Sequence, residues 1–216
     1  MLNKEMIASH YAKKTSRKLT KMLGKGQFGE AYLMDDGNVV KVTGDTCEAL
    51  ASAYMVNEPH DAVVGVSNVK HIKDGVYIIE QERLHHNLET DGKCDEIFWA
   101  LSNAADHAGY DMNEMFAELS LSEIIMHVAD PEVCEAAQQI KSATDYFINK
   151  GLEGDVVDLG SDNFGFDEGG RLVVFDLRMS GISQSRAEET LRNEFPEVFV
   201  SPYPSIENKS GDIEPV

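Results

Sequence analysis

Apolar and polar positions change rhythm along this chain. From Lys21 to Ile79 they come in short alternating runs separated by turn residues. Lys21–Leu23 leads into a glycine-rich stretch, and Glu30–Met34 reads as a strand. Asp35-Asp36-Gly37-Asn38 is a tight-turn signal before a second run, Val39–Val42. Val69–Ile72 and Val76–Ile79 form a further hairpin around Lys73-Asp74-Gly75. Between the two hairpins, residues 44–56 read as a short helix that Asp45 could cap, with Glu48 at the capping-box position. The pattern predicts a small antiparallel sheet with one inserted helix.

From about Asp95 to Lys150 the period becomes helical. Ile97, Leu101 and Ala104 give one stripe, and Met115, Leu119 and Ile125-Met126 a second. Asp130-Pro131 opens a helix whose apolar face is Val133, Ala137, Ile140, Ala143 and Phe147, with Gly151 as its stop. Phe98 and Trp99 are expected in the core. A last hairpin, Phe164–Phe166 and Leu172–Phe175, precedes one short helix within Ser185–Phe199. Residues 1–20 are loosely amphipathic through Leu2, Met6, Ile7 and Tyr11, with a basic polar side. Such a segment suits a membrane surface, an acidic partner or the chain's own acidic body, and packing on the body is the reading preferred here. The fold class expected is α+β. Its parts are a basic helix (1–20), a sheet-rich region (21–84), a helical region (85–200) and a flexible acidic tail (201–216).

Charge sharpens this picture. The 216 residues carry a net −19, with +6 in residues 1–25 and −25 in the remainder. A body so acidic repels nucleic-acid phosphates, so direct nucleic-acid binding is not expected. It favours solubility and suits a basic partner surface. No apolar run is long enough to span a membrane, and no secretory signal is visible. Cys47, Cys94 and Cys134 stand far apart, outside metal-ligand spacing, and read as reduced thiols of a cytoplasmic protein.

Two segments carry candidate chemistry. The first is Gly24-x-Gly26-x-Phe28-Gly29-x-Ala31, glycines between two strands that let backbone amides approach a phosphate. Lys41 follows inside Val39-Val40-Lys41-Val42. A lysine among apolar neighbours on a buried strand needs a negative partner. Nucleotide phosphates and a helix carboxylate are both on offer. Glu48 is the first choice of carboxylate; Glu58 is weaker, because Pro59 ends its helix. The second segment is Asp158-Leu159-Gly160-Ser161-Asp162-Asn163, followed by Asp176 after the last hairpin. Asn163 and Asp176 bracket that hairpin, which would set an amide oxygen beside a carboxylate, a hard pair suited to magnesium. Asp158 is then left to orient or deprotonate an attacking hydroxyl. His85-His86 and Asp155 read as plain surface residues.

The order of these parts resembles the protein kinase family over about residues 20–181. The resemblance implies a two-lobed minimal kinase-like fold, with a sheet lobe and a reduced helical C-lobe, using ATP and Mg2+. Residue by residue, Lys41 matches the phosphate-binding lysine, Glu48 its ion-pair partner and Asp158 the catalytic aspartate. Asn163 and Asp176 match the magnesium ligands. Residues 80–84, Glu82 at their centre, look like the hinge that pairs with adenine. The chain departs from the family with Val-Val-Asp for His-Arg-Asp, Asp176-Leu177-Arg178 for Asp-Phe-Gly, Gly160 for a frequent lysine, and no Ala-Pro-Glu. No activation-loop switch of the usual kind is therefore expected.

The compressed pattern looks like the early serine/threonine kinases of podovirus-type bacteriophages, which implies host proteins as substrates and the host cytoplasm as location. The fold is also similar to aminoglycoside-type phosphotransferases, whose His-Gly-Asp-x-His is lacking here. The expectation is an active serine/threonine kinase. The other reading is a kinase scaffold whose acidic body binds and inhibits a host enzyme.

Overall fold

Five strands come from three hairpin connections and one helical insertion. The computed structural model describes residues 3–85, 92–150, 159–175 and 182–200. Helix α1 (Lys4–Lys14) is capped by Asn3, whose side chain accepts from the Met6 amide. Strands β1 (Leu19–Lys25), β2 (Gly29–Met34) and β3 (Val39–Thr43) follow, then helix α2 (Thr46–Asn57), then β4 (Val66–Lys73) and β5 (Val76–Gln81). The sheet is antiparallel throughout, in the order β1-β2-β3-β5-β4.

Strand alternation gives the sheet two faces. Tyr32, Met34, Val40, Val42 and Ile78 point to one face and bury Ala8, Tyr11 and Ala12 of α1. Each large apolar side chain buried there stabilises by about 1.5–3 kcal/mol. A charged network fixes the helix on top of this. Glu80 is buried; it takes both guanidinium nitrogens of Arg17 at 2.6 Å and the Tyr11 hydroxyl at 2.6 Å. Arg17 also donates to Asp36 at 2.9 Å, and Asn68 to the Tyr11 oxygen at 2.8 Å. So the N-terminal helix packs on its own body, as expected. Its buried face is Ala8-Tyr11-Ala12, whereas Met6, two positions before Ala8 and so on the opposite side, is 70% exposed.

The other face carries Tyr77, Ile79 and Val69 and packs on α2. Helix α2 is buried almost all round: Thr46 through Ala53, and Met55. A helix apolar on every side needs cover on every side. The sheet supplies one cover. Helix α7 (Gln184–Glu194) supplies the other through Ala187 and Leu191. Tyr54 meets the Phe195 ring edge-on at 4.8 Å and donates to Glu194 at 2.6 Å. The following 3₁₀ turn Pro196–Phe199 lies on β4, where Lys70 donates to the Glu197 carbonyl at 3.1 Å. The expected division assigned residues 85–200 to the helical region. Within that stretch, α7 and its turn lie with α2 and β4.

The helical region is α3 (Lys93–Ala108), α4 (Met112–Glu118), α5 (Leu121–Ile125) and α6 (Pro131–Asn149). Among the described residues this makes seven α-helices and one five-stranded sheet, an α+β fold. Asp130 caps α6 with Pro131 in its first turn, and the expected face Val133, Ala137, Ile140, Ala143, Phe147 is buried. The expected stop, Gly151, lies outside the described residues. Three core assignments are corrected. Trp99 is 62% exposed, because it sits two positions from Ile97, about 200° around the helix from the buried Cys94-Ile97-Leu101-Ala104 stripe. Ile125 is 38% and Met126 75% exposed, since Ile124 and Phe116 take the core places. Two capping boxes, Asp111 with Glu114 and Ser120 with Glu123, divide what reads as one stripe into α4 and α5.

A two-stranded sheet, β6 (Phe164–Phe166) and β7 (Leu172–Val174), joins the two regions. His85 exchanges both backbone hydrogen bonds with Phe166, at 2.8 and 2.9 Å. On the other side Val174 bonds Val64 and Ala62, at 2.9 and 3.0 Å. Gly165 is required at this junction: a Cβ there would stand 3.0 Å from the His85 oxygen and from Leu84 Cβ. No helix of the described residues is long and apolar enough to cross a membrane.

Candidate functional site

The alternation that turns Val40 and Val42 toward α1 turns Val39 and Lys41 the other way. Lys41 pairs across the sheet with Ala31 on β2 and Ile79 on β5. Its ammonium, with the side chain 15% exposed, forms an ion pair with Glu48 of α2. Asp45 caps α2 from below, accepting from the Cys47 amide at 2.9 Å and the Glu48 amide at 3.4 Å. The Asp45 amide itself donates to Thr43 Oγ1 at 3.0 Å. Of the two roles open to Glu48, its carboxylate takes the ion pair. Glu58 is the C-cap of α2 and pairs with Lys150 at the far end.

Lys41 and Glu48 stand on the wall of a cavity of about 720 Å³. That volume lies within the ~300–1,000 Å³ typical of small-molecule sites. The roof is the β1–β2 hairpin: Leu23, Gly24, Lys25, Gly26, Phe28, Gly29 and Ala31. At Gly29 a Cβ would stand 3.1 Å from Lys41 Cε, so a side chain there would displace the end of the lysine. At Gly24 and Gly26 a Cβ would meet nothing within 4 Å. Neither position is crowded by neighbouring atoms.

The back of the cavity is Gln81, Glu82, Arg83 and Leu84, and its floor is Asp162, Asn163 and Phe175. Glu80 and Gln81 belong to β5, and the Glu80 side chain faces α1, so only 82–84 of the expected hinge lie beyond the strand. Glu82 is pinned to the loop before β4: its amide donates to the Gly65 oxygen at 2.9 Å, and its carboxylate accepts from the Gly65 amide at 2.6 Å. Asn163 closes a 3₁₀ turn, Ser161–Asn163, and its carbonyl accepts from the Phe175 amide at 2.8 Å. This bond holds the start of β6 beside the end of β7.

The structure thus gathers Gly24, Gly26, Phe28, Gly29, Ala31, Lys41, Glu48, Glu82 and Asn163 around one cavity. Asp158 and Asp176, the other two candidates, lie outside the described residues, as do Asp155 and His86. Among the described residues, no group of three or more His, Cys, Asp or Glu side chains could hold a metal ion.

Leu23, Val39 and Phe175 line the cavity without having been singled out in the sequence as site residues. The signal for Val39 was there: it shares the face of Lys41 at a spacing of two. Three cations also line the cavity, Lys21 and Lys25 from β1 and Arg83 from the segment after β5. Lys25 donates to the Glu30 carboxylate at 2.9 Å, and that hydrogen bond raises the lysine above its usual range, keeping it charged. The arrangement offers amide groups, lysines and a paired cation to an anionic ligand, with apolar walls for a flat ring.

No protein-family model matches the chain, and none of the characterised proteins compared with it is significantly similar.

Proposed function

We propose that the chain is a reduced, two-lobed, protein-kinase-like phosphotransferase that transfers the γ-phosphate of ATP to serine or threonine hydroxyls of other proteins. The observation that carries this reading is the Lys41–Glu48 ion pair on the wall of a 720 Å³ cavity roofed by the Gly24–Gly29 hairpin. In the proposed arrangement the five-stranded sheet with α2 is one lobe and α3–α6 the other. The β6–β7 hairpin lies at their junction.

ATP fits the residues present. The apolar sides of Leu23, Val39 and Leu84 suit a purine. The open positions at Gly24 and Gly26 admit phosphates close to backbone amides. Lys41 balances the phosphate charge, and Glu48 fixes where its ammonium points. Asn163 and Asp176 would hold magnesium, which neutralises charge on the phosphates when bound. In the reaction, the acceptor oxygen forms a bond to the γ-phosphorus and the bond to the β-phosphate oxygen breaks. The hydroxyl proton passes to Asp158. ADP leaves with the charge that Lys41 faces. The chain is then a cytoplasmic enzyme of a bacteriophage, acting on host proteins.

The test is transfer of label from ATP with magnesium to proteins of a host lysate, by wild type, Asp158→Ala and Asp176→Asn. Wild type labels a discrete set of proteins, and both variants lose that labelling. Absence of labelling by all three, with continued inhibition of a host enzyme, transfers the case to the acidic-scaffold reading. The −19 charge supports that second reading.

A further inference from the structure

The end of α2 that carries Glu48 is held from outside the sheet. Gln184, the first residue of α7, brackets the cap of α2. Its Oε1 accepts from the Thr46 amide at 2.7 Å, and its Nε2 donates to Asp45 Oδ1 at 2.8 Å. The same Nε2 lies 3.4 Å from Cys47 Sγ, and the Cys47 thiol donates to the Ile182 carbonyl at 3.4 Å. Asp45 Oδ1 is also the oxygen that accepts from the Cys47 and Glu48 amides. One carboxylate oxygen thus links Gln184 to the backbone of Glu48.

The first amides of a helix have no partner within it, so whatever satisfies them sets where the helix begins. Here a side chain from 138 residues away satisfies Thr46. Tyr54 makes the second attachment, to Glu194 and Phe195 at the other end of α7. The two helices therefore run side by side in the same direction, pinned at both ends.

We infer that Gln184 is a positioning residue for the Lys41–Glu48 pair: by bracketing Asp45 and Thr46 it fixes the first turn of α2, and α7 acts as a built-in brace that keeps Glu48 on Lys41 without modification of the chain. The inference rests on the phosphotransferase reading for its consequence, but the brace itself is a property of α2 and can be read without nucleotide.

Two variants of the full chain test it. Gln184 is exposed, so its replacement opens no cavity. Gln184→Leu removes both hydrogen bonds. Hydrogen exchange at the Thr46, Cys47 and Glu48 amides then accelerates about tenfold or more. In phosphate transfer, kcat falls about tenfold while KM for ATP moves less than about twofold, because the glycine hairpin still binds the ground state. Gln184→Glu is the conservative control. Protonated, its carboxyl still donates to Asp45 and accepts from Thr46; ionised, it is repelled by Asp45. Transfer by this variant recovers toward wild type as pH is lowered, and wild type has no such acid-side gain. The brace is overturned if Cys47 and Glu48 exchange as in wild type in Gln184→Leu, or if only Thr46 accelerates, or if kcat is unchanged. Failure of the wild type itself to bind MgATP removes the phosphotransferase reading, and the exchange at Cys47 and Glu48 still decides the brace.

Discussion

The sheet carries a glutamate–cation pair on each face, and the two pairs are built differently. On the α1 face, Glu80 is enclosed by Arg17, Tyr11 and, through Arg17, Asp36. Burial alone would raise the Glu80 carboxyl, but the Arg17 and Tyr11 hydrogen bonds outweigh it and hold it below its ordinary range. The same enclosure pushes the Tyr11 hydroxyl up to about 12, through burial first and Glu80 second. On the other face, Lys41 and Glu48 stand at the wall of a 720 Å³ cavity. Both pairs are products of strand alternation. The first is packed against α1 and serves the fold; the second fronts the cavity that is proposed to take a nucleotide.

Lys41→Met breaks the comparison hardest. Phosphate transfer falls on the order of 10²–10³-fold, about 3–4 kcal/mol of transition-state stabilisation, and the melting temperature falls as well, because buried Glu48 loses the Lys41 ammonium. A kinetic assay beside a thermal melt separates the two effects. A loss of folding without a specific loss of activity would make the two pairs alike.

Glu80→Gln is the mirror case. It takes one of two carboxylates from the half-buried Arg17 guanidinium, Asp36 remaining, and costs about 3 kcal/mol through the loss of charge-assisted hydrogen bonds. For a chain of this size that is roughly 6–12 °C in melting temperature. Nucleotide affinity of the folded protein stays as in wild type, since Glu80 faces away from the cavity.

Gly29→Ala sharpens the cavity side. Its Cβ would press on Lys41 Cε from 3.1 Å, so the lysine must shift. ATP affinity weakens roughly tenfold, about 1.4 kcal/mol, by titration calorimetry. An unchanged affinity would place the phosphates away from Lys41.

The smallest effect is in acid. A carboxylate with a depressed folded value stabilises fully above its unfolded value, near ~4.3, and loses that contribution as pH falls through the folded value. The direction at Glu80 places the loss below about pH 4.3. Denaturant midpoints measured downward from pH 5 fall more steeply for wild type than for Glu80→Gln. Equal slopes would put the acid sensitivity elsewhere.

Much of this was legible in the sequence, and the pattern of failure is physical. Hairpins announced themselves through local turn residues such as Asp35–Asn38, and α6 through Asp130-Pro131 and a clean apolar stripe. Lys41 stood out because a charge among valines demands a partner. Trp99 was misplaced because an aromatic residue reads as core unless its angle from Ile97 is counted. The position of α7 depends on contacts about 140 residues apart, such as Gln184 with Asp45, which no local spacing encodes. The all-round small and apolar character of α2 was the clue, since it calls for a second cover. Glu80 shows the same limit: its role depends on Arg17, 63 residues away.

The central claim is that Lys41 faces the phosphates of bound ATP. An ATP derivative with a reactive acyl group on its terminal phosphate tests it directly, because the acyl group transfers to the lysine amine nearest the phosphates. The account predicts modification at Lys41, mapped by peptide mass spectrometry and suppressed by excess MgATP. Modification spread over the exposed lysines of α1 and β1, or unaffected by MgATP, would contradict it.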